Sequence, residues 1–170
     1  MKTIYKYYKS SNSGKIILTT LAIVLSIQAT GNNGARGAIL CSIEKKRVSI
    51  FINSIWDDAE TVCEKYDLPI GLLIAQACLE SGFGRSYLAN NKCNFLGIKY
   101  EGVYADFESK LHCFESWAKV LNQTCYRGLE FKTLEGWIYQ LSTCGYAESK
   151  EYSSKLKSII KKYNLNWIAL

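Results

Sequence analysis

The residues able to do chemistry are concentrated in Ala75-Gln76-Ala77-Cys78-Leu79-Glu80-Ser81-Gly82-Phe83-Gly84. An apolar stretch from Leu72 to Leu79 delivers one carboxylate, Glu80, and the chain then breaks at once into Ser-Gly-Phe-Gly. The helix beneath would half desolvate such a carboxyl, while the glycines let a ligand approach the backbone. Burial disfavours the charged form and raises the pKa, as a general acid at neutral pH requires. The plainer alternative is an ordinary acid at a helix C-terminus. A negative charge there opposes the helix dipole, so stability alone is a poor reason for it.

Apolar periodicity outlines the elements that must hold Glu80. Over residues 45–66, Val48, Phe51, Ile52, Ile55, Trp56, Ala59, Val62, Cys63 and Tyr66 recur at helical spacing. Asp67-Leu68-Pro69 ends that helix, and Pro69 suits the first turn of a second one running to about Leu79. This second helix is apolar on most sides and is expected at the centre of the core. Residues 82–113 differ: Gly82, Gly84, Gly97, Gly102 and Asn90-Asn91 punctuate short segments, with a helical turn at 86–90. From 98 to 113, apolar and charged residues alternate imperfectly, which fits a small β-hairpin lobe. Helical spacing resumes at Ser116 with Trp117, Val120, Leu121 and Cys125. A further helix carries Leu134, Trp137, Ile138 and Leu141 and stops at Gly145. Residues 148–163 form the last, with lysines on a solvated face. The predicted class is mainly α, with a small β element (α+β). Trp56, Trp117 and Trp137 sit at core spacing and read as packing.

At 170 residues the chain suits one domain plus a short extension. Lys2, Lys6, Lys9 and Lys15 precede an uncharged apolar run, 16–27, followed by Gln28-Ala29-Thr30. This is the pattern of a secretory signal peptide, and the run is short of the roughly 20 residues a bilayer span needs. Residues 1–29 are therefore expected to be a signal peptide or an N-terminal anchor, and 30–43 a linker. Export to the periplasm, cell envelope or extracellular space is the expected localisation. The net charge of +6 owes four positive charges to that segment. The remainder is too mildly basic, and too poor in basic runs with interleaved aromatics, to suggest a nucleic-acid partner.

Seven cysteines with one histidine and no close CxxC pair argue against zinc, and no metal or organic cofactor is expected. Cys63 and Cys78 lie on apolar helical faces and are expected as buried hydrophobes. A Cys93–Cys113 bridge would tie down the segment after Glu80. A cysteine nucleophile is disfavoured, because His112 beside Cys113 lacks a third partner.

Residues 75–99 resemble the bacterial cell-wall glucosaminidase family, the endo-β-N-acetylglucosaminidases of flagellar and autolysin type. The family block Ala-Gln-Ala-x-x-Glu-Ser-Gly-x-Gly-x-Ser-x-Leu-Ala is matched over residues 75–89. Asn94-Phe95-Leu96-Gly97-Ile98-Lys99 resembles its Asn-(Leu/Ile)-Phe-Gly-Ile-Lys block with the aromatic and leucine exchanged. Phe114-Glu115-Ser116-Trp117 is similar to a Tyr-Asp-Ser element, and Cys144-Gly145-Tyr146-Ala147 to a Gly-Tyr-Ala motif. The likeness runs from about residue 50 to 165. It implies a lysozyme-like helical domain over 44–170, with a small β-hairpin lobe flanking a substrate groove.

The resemblance also implies that Glu80 protonates a glycosidic oxygen and that Tyr146 lines the cleft. Substrate contacts are expected from Gly82, Phe83, Ser86, Asn94, Lys99 and Tyr100, with the Tyr87 and Tyr104 rings nearby to stack on sugars. A second acid is expected in the β-lobe, among Glu101, Asp106, Glu108 and Glu115. Asp106 and Glu108 share a strand face; Glu108 is favoured, then Asp106. A route through the substrate's own 2-acetamido oxygen would need no protein nucleophile. The expected partner is the peptidoglycan glycan strand, cut on its GlcNAc side by a monomer. A muramidase or lytic transglycosylase, or a non-catalytic glycan-binding envelope protein, are the alternatives.

Overall fold

The computed structural model describes residues 33–123, 125, 133–146 and 151–166. They contain the helices α1 (Asn33–Tyr66), α2 (Ile70–Glu80) and α3 (Tyr87–Lys92), then strands β1 (Lys99–Tyr100) and β2 (Val103–Tyr104). Helices α4 (Lys110–Leu121), α5 (Leu134–Thr143) and α6 (Tyr152–Lys162) follow. The chain divides into two units, one ending at Asn53 and the other spanning Ser54–Leu170, with the boundary inside α1. The mainly helical α+β class read from the sequence is what is observed.

Helix α1 starts at Asn33 rather than near residue 45, so most of the expected linker 30–43 is helical. Propagation from an existing helix adds a hydrogen bond per residue, and Ala38, Ile39 and Leu40 are adequate helix formers. In the second unit the stripe Ile55, Trp56, Ala59, Val62 and Cys63 is buried, as its spacing required. The helix ends with Asp67 in the left-handed region (φ 54°). The Leu68 N–H returns to the Cys63 carbonyl at 3.0 Å, and Pro69 prevents continuation.

Helix α2 is the core of this unit. Ile70 to Cys78 are all buried, and α6 and α5 pack against the helix. Its fit is tightest at Gly71, where a Cβ would collide with the Leu165 carbonyl oxygen. Helix α6 buries Tyr152, Leu156 and Ile160 and leaves Lys155, Lys157, Lys161 and Lys162 in solvent. Its predicted first residues, 148–150, and the N-terminal segment 1–29 lie outside the described residues. No described helix is long and apolar enough to cross a membrane.

Between α2 and α4 the chain folds as expected into a short helix and a hairpin. Ser86 caps α3, accepting from the Ala89 N–H at 3.1 Å. In the hairpin Lys99 faces Tyr104 and Tyr100 faces Val103. The two-residue loop, Glu101 (φ 51°) and Gly102 (φ 82°), has the paired left-handed conformation that matches strand twist. Helix α4 begins at Lys110, earlier than the expected Ser116, because the Ser109 hydroxyl caps it by accepting from the His112 N–H.

The cysteine pairing differs from expectation. The described bridge is Cys125–Cys144, whereas Cys93 and Cys113 are both free thiols. Cys113 is fully buried, and its sulfur accepts from the backbone N–H groups of Phe95 and Leu96. Cys63 and Cys78 are buried as expected, and burial pushes both thiols up to about 12.

Two stability outcomes follow. Gly71→Ala should cost about 2 kcal/mol in urea unfolding, because the new methyl has only rigid backbone to displace. Reduction of Cys125–Cys144, or its replacement by serines, should cost about 3 kcal/mol and lower Tm, as expected for a loop of this size.

Candidate active site

Glu80 is the last residue of α2, immediately beyond the fully buried run. The next turn carries the backbone away through three successive left-handed residues, Gly82 (φ 56°), Phe83 (φ 59°) and Gly84 (φ 76°). For Phe83 that conformation is strained by about 1 kcal/mol. Hydrogen bonds hold it: the Phe83 N–H reaches the Cys78 carbonyl at 2.8 Å, and its ring sits edge-on to Tyr163 at 5.6 Å. Ser81 is buried and acts as a staple. Its hydroxyl donates to the Ala77 carbonyl and accepts from the Gly84 N–H at 2.7 Å. The Ser-Gly-Phe-Gly break is therefore a rigid turn that frees the face of Glu80.

The second block packs beside the carboxyl. Gly97 lies close enough that a Cβ there would sit 3.7 Å from Glu80 Oε2, and its φ is +63°. Asn94 places this loop. Its side-chain amide donates to the Ile98 carbonyl at 2.8 Å and the Ala105 carbonyl at 3.0 Å, while its oxygen accepts from the Ile98 N–H at 2.9 Å. At 1% exposure Asn94 is a bracket at the hairpin base rather than a group open to a ligand. Ser86 is likewise occupied in capping α3.

Glu80 is exposed as a residue, so its carboxyl can meet a ligand. Burial nevertheless raises the carboxyl above its ordinary value, and a hydrogen bond donated by the Tyr152 hydroxyl partly opposes that rise. Tyr152 is itself pushed far up, mainly by burial, so its phenol stays protonated and remains a donor. The Tyr146 ring lies 6.1 Å from Tyr152, which brings the Gly-Tyr segment to the same cluster. Behind it, the Gln76 amide donates to the Tyr152 hydroxyl at 2.8 Å, and the Trp117 indole donates to Gln76 Oε1 at 2.8 Å.

The hairpin carries exposed rings. Tyr100 and Tyr104 are exposed, and Lys99 Nζ lies 4.5 Å from the Tyr104 ring centroid. Tyr87 on α3 is exposed as well. The acids anticipated in this lobe all face solvent or surface partners. Asp106 lies 3.5 Å from Lys92, and Glu108 lies 3.4 Å from His112. Glu101 occupies the hairpin loop. Glu115 on α4 bonds Lys65 at 2.7 Å, and that hydrogen bond holds its carboxyl below the usual range. Among the described residues no three metal-type side chains cluster.

Sequence reasoning placed Trp117 as packing, and it missed the hydrogen-bonding tips of Trp117 and Tyr152. Gln76 was the available signal: a lone amide in a helix apolar on every side must find buried partners. The role of Gly97 beside Glu80 was not visible from spacing.

The family model for glucosaminidase, described as mannosyl-glycoprotein endo-beta-N-acetylglucosaminidase, matches residues 56–165. Exo-glucosaminidase LytG of Bacillus subtilis (strain 168) is 29% identical over 146 residues, covering 69% of this chain and 52% of that protein. The chain thus spans about half the length of this curated relative. The catalytic domain of the autolysin Auto (Lmo1076) from Listeria monocytogenes is similar in structure, with a TM-score of 0.64 and 31% identity. That likeness covers 71% of this chain and 86% of the other. The glycoside hydrolase domain of FlgJ from Salmonella typhimurium shares the fold, with a TM-score of 0.59 and 24% identity over 69% of this chain and 88% of that one. With the match extending from Trp56 in α1 through the Glu80 turn, the hairpin and α6, the chain belongs to the glucosaminidase family.

Proposed function

We propose that this chain is an exported peptidoglycan hydrolase that cleaves β-1,4 bonds on the GlcNAc side, with Glu80 as general acid. The observation that carries the reading is the state of Glu80: exposed at the end of a buried helix, yet raised by burial. A carboxyl in that state holds its proton to higher pH than an ordinary glutamic acid and can deliver it to a bridging oxygen. As the C1–O bond breaks, positive charge develops on the sugar ring, and water completes the reaction at C1. Glu108 and then Asp106 are the protein groups proposed to assist that step. Their surface positions, beside Lys92 and His112, also suit the route in which the substrate's acetamido oxygen attacks C1 and a carboxylate only orients it.

Tyr100 and Tyr104 supply exposed rings for sugars, and Lys99 Nζ lies over one face of Tyr104. Gly82 and Phe83 form the turn beside the acid, and Tyr146 lies against Tyr152. The strands are only two residues each, so the hairpin is a low rim. That supports an endo action on internal bonds, although the curated relative is named an exo-glucosaminidase. Export rests on the basic and apolar pattern of residues 1–29.

Purified peptidoglycan digested with the protein should yield fragments with GlcNAc reducing ends and rapidly shortened strands. MurNAc or anhydro-MurNAc ends would instead assign a muramidase or transglycosylase, and release from strand ends alone would assign exo action. Glu80→Gln should lower digestion by about a thousandfold or more while strand pelleting with peptidoglycan persists. Binding without digestion by the unaltered protein would make it a glycan-binding member.

The pH dependence has a definite sign. Activity should fall as pH rises through the raised pKa of Glu80, so the alkaline limb of kcat/KM should lie above the ordinary glutamate range. Between the ordinary and raised values the unfolded chain holds fewer protons than the folded one, so this group's contribution to stability declines as pH rises. Denaturation of the Glu80→Gln variant should lack that part of the slope.

A further inference from the structure

We infer that Trp117 and Gln76 are positioning residues for Glu80, forming with Tyr152 a one-way hydrogen-bond chain that aims the phenol hydrogen at the carboxyl. The inference rests on the reading of Glu80 as the acid. The indole N–H can only donate, so the Gln76 amide must turn its oxygen toward Trp117, and the contact is 2.8 Å. The Gln76 NH2 group then faces the Tyr152 hydroxyl, also at 2.8 Å. An amide nitrogen has no lone pair to offer, so the phenol oxygen accepts. That leaves the one phenol hydrogen for Glu80, with which Tyr152 is bonded. Every direction in the chain is thus set by its donor-only end on α4.

The positions make reversal costly. Gln76 is fully buried, and Trp117 is 1% exposed. If the amide flipped, its NH2 group would face the indole N–H and both donors would be left unsatisfied in the core. The phenol would then give its hydrogen to Gln76 rather than to Glu80. Three helices, α4, α2 and α6, supply one member each, so their packing is read out at the carboxyl.

The described titratable groups facing Glu80 are Tyr152 from α6 and, through it, Tyr146 from the segment after α5. The Gly97 backbone completes the surroundings from the loop before β1. When Glu80 gives up its proton, the carboxylate it becomes is a stronger acceptor, and the Tyr152 bond tightens. The chain therefore favours the proton-donating step while burial keeps the proton in place beforehand.

The test compares Trp117→Phe, Gln76→Leu, Tyr152→Phe and the Trp117→Phe/Tyr152→Phe double variant in the full chain. The readouts are the Glu80 carboxyl titration by carbon-13 NMR and the alkaline limb of kcat/KM. Tyr152→Phe should move the titration to higher pH and lower kcat by about tenfold with KM little changed. Trp117→Phe removes the N–H together with the five-membered ring; it should shift the titration the same way by a smaller amount, and a cavity effect alone would persist in the double variant. In the double variant the tryptophan change should add nothing, because the path to Glu80 is already cut. Should Gln76→Leu fail to fold, Trp117→Phe and the double variant still decide the matter. A folded Trp117→Phe protein with an unmoved Glu80 titration, or with additive effects in the double variant, would overturn the relay. Full digestion by Glu80→Gln would instead overturn the acid assignment, whatever the titrations show.

Discussion

Two opposed influences meet at the Glu80 carboxyl, and the rest of the second unit is arranged around their balance. Burial at the end of α2 favours the protonated form, while the Tyr152 hydroxyl favours the carboxylate. Burial is the larger, so the proton is retained more strongly than on a free glutamate. Desolvation requires the apolar body of α2, whose residues 70–78 are all buried. The opposing hydrogen bond requires α6 to lie close enough for Tyr152 to reach across, and Gly71 permits the close approach of the chain just after α6. A core fitted this tightly transmits small displacements rather than absorbing them.

Many motif residues that look like ligand contacts instead build the frame. Ser81 staples its own turn, Ser86 caps α3, and Asn94 fastens the hairpin base. Each saves a backbone group from being buried without a partner, which would cost as much as losing the hydrogen bond outright. The Glu80 residue and the rings of Tyr87, Tyr100 and Tyr104 are by contrast exposed. The proposed stacking of sugar rings fits this division between a polar frame and an aromatic surface.

The helices were legible because their signals are local. Period-3.6 stripes marked α1, the later part of α4, α5 and α6, a nearly continuous apolar run marked α2, and the Glu80 turn announced itself through its glycines. Boundaries were less legible where a single hydroxyl decides them, as Ser109 does for α4. The Cys125–Cys144 pairing was not legible, since it depends on which segments meet in space. The same holds for the Trp117–Gln76–Tyr152 connection, whose members are separated by 41 and 76 residues along the chain. Composition shows that such residues are present, and only packing shows that their polar atoms meet.

The sequestered thiols have a consequence for maturation. Cys63 and Cys78 are held as thiols up to about 12, and Cys113 up to about 11, by burial. Disulfide exchange proceeds through the thiolate, so in the folded state these three are almost inert to oxidants and to mixed disulfides. Once the second unit has closed, scrambling through these three cysteines is blocked by acid–base chemistry as well as by access, and Cys93 is the half-buried free thiol of that unit. The order of events therefore matters: a chain that packs α2 before meeting an oxidant keeps Cys125 and Cys144 for each other, whereas one oxidised while open has many wrong partners to choose from.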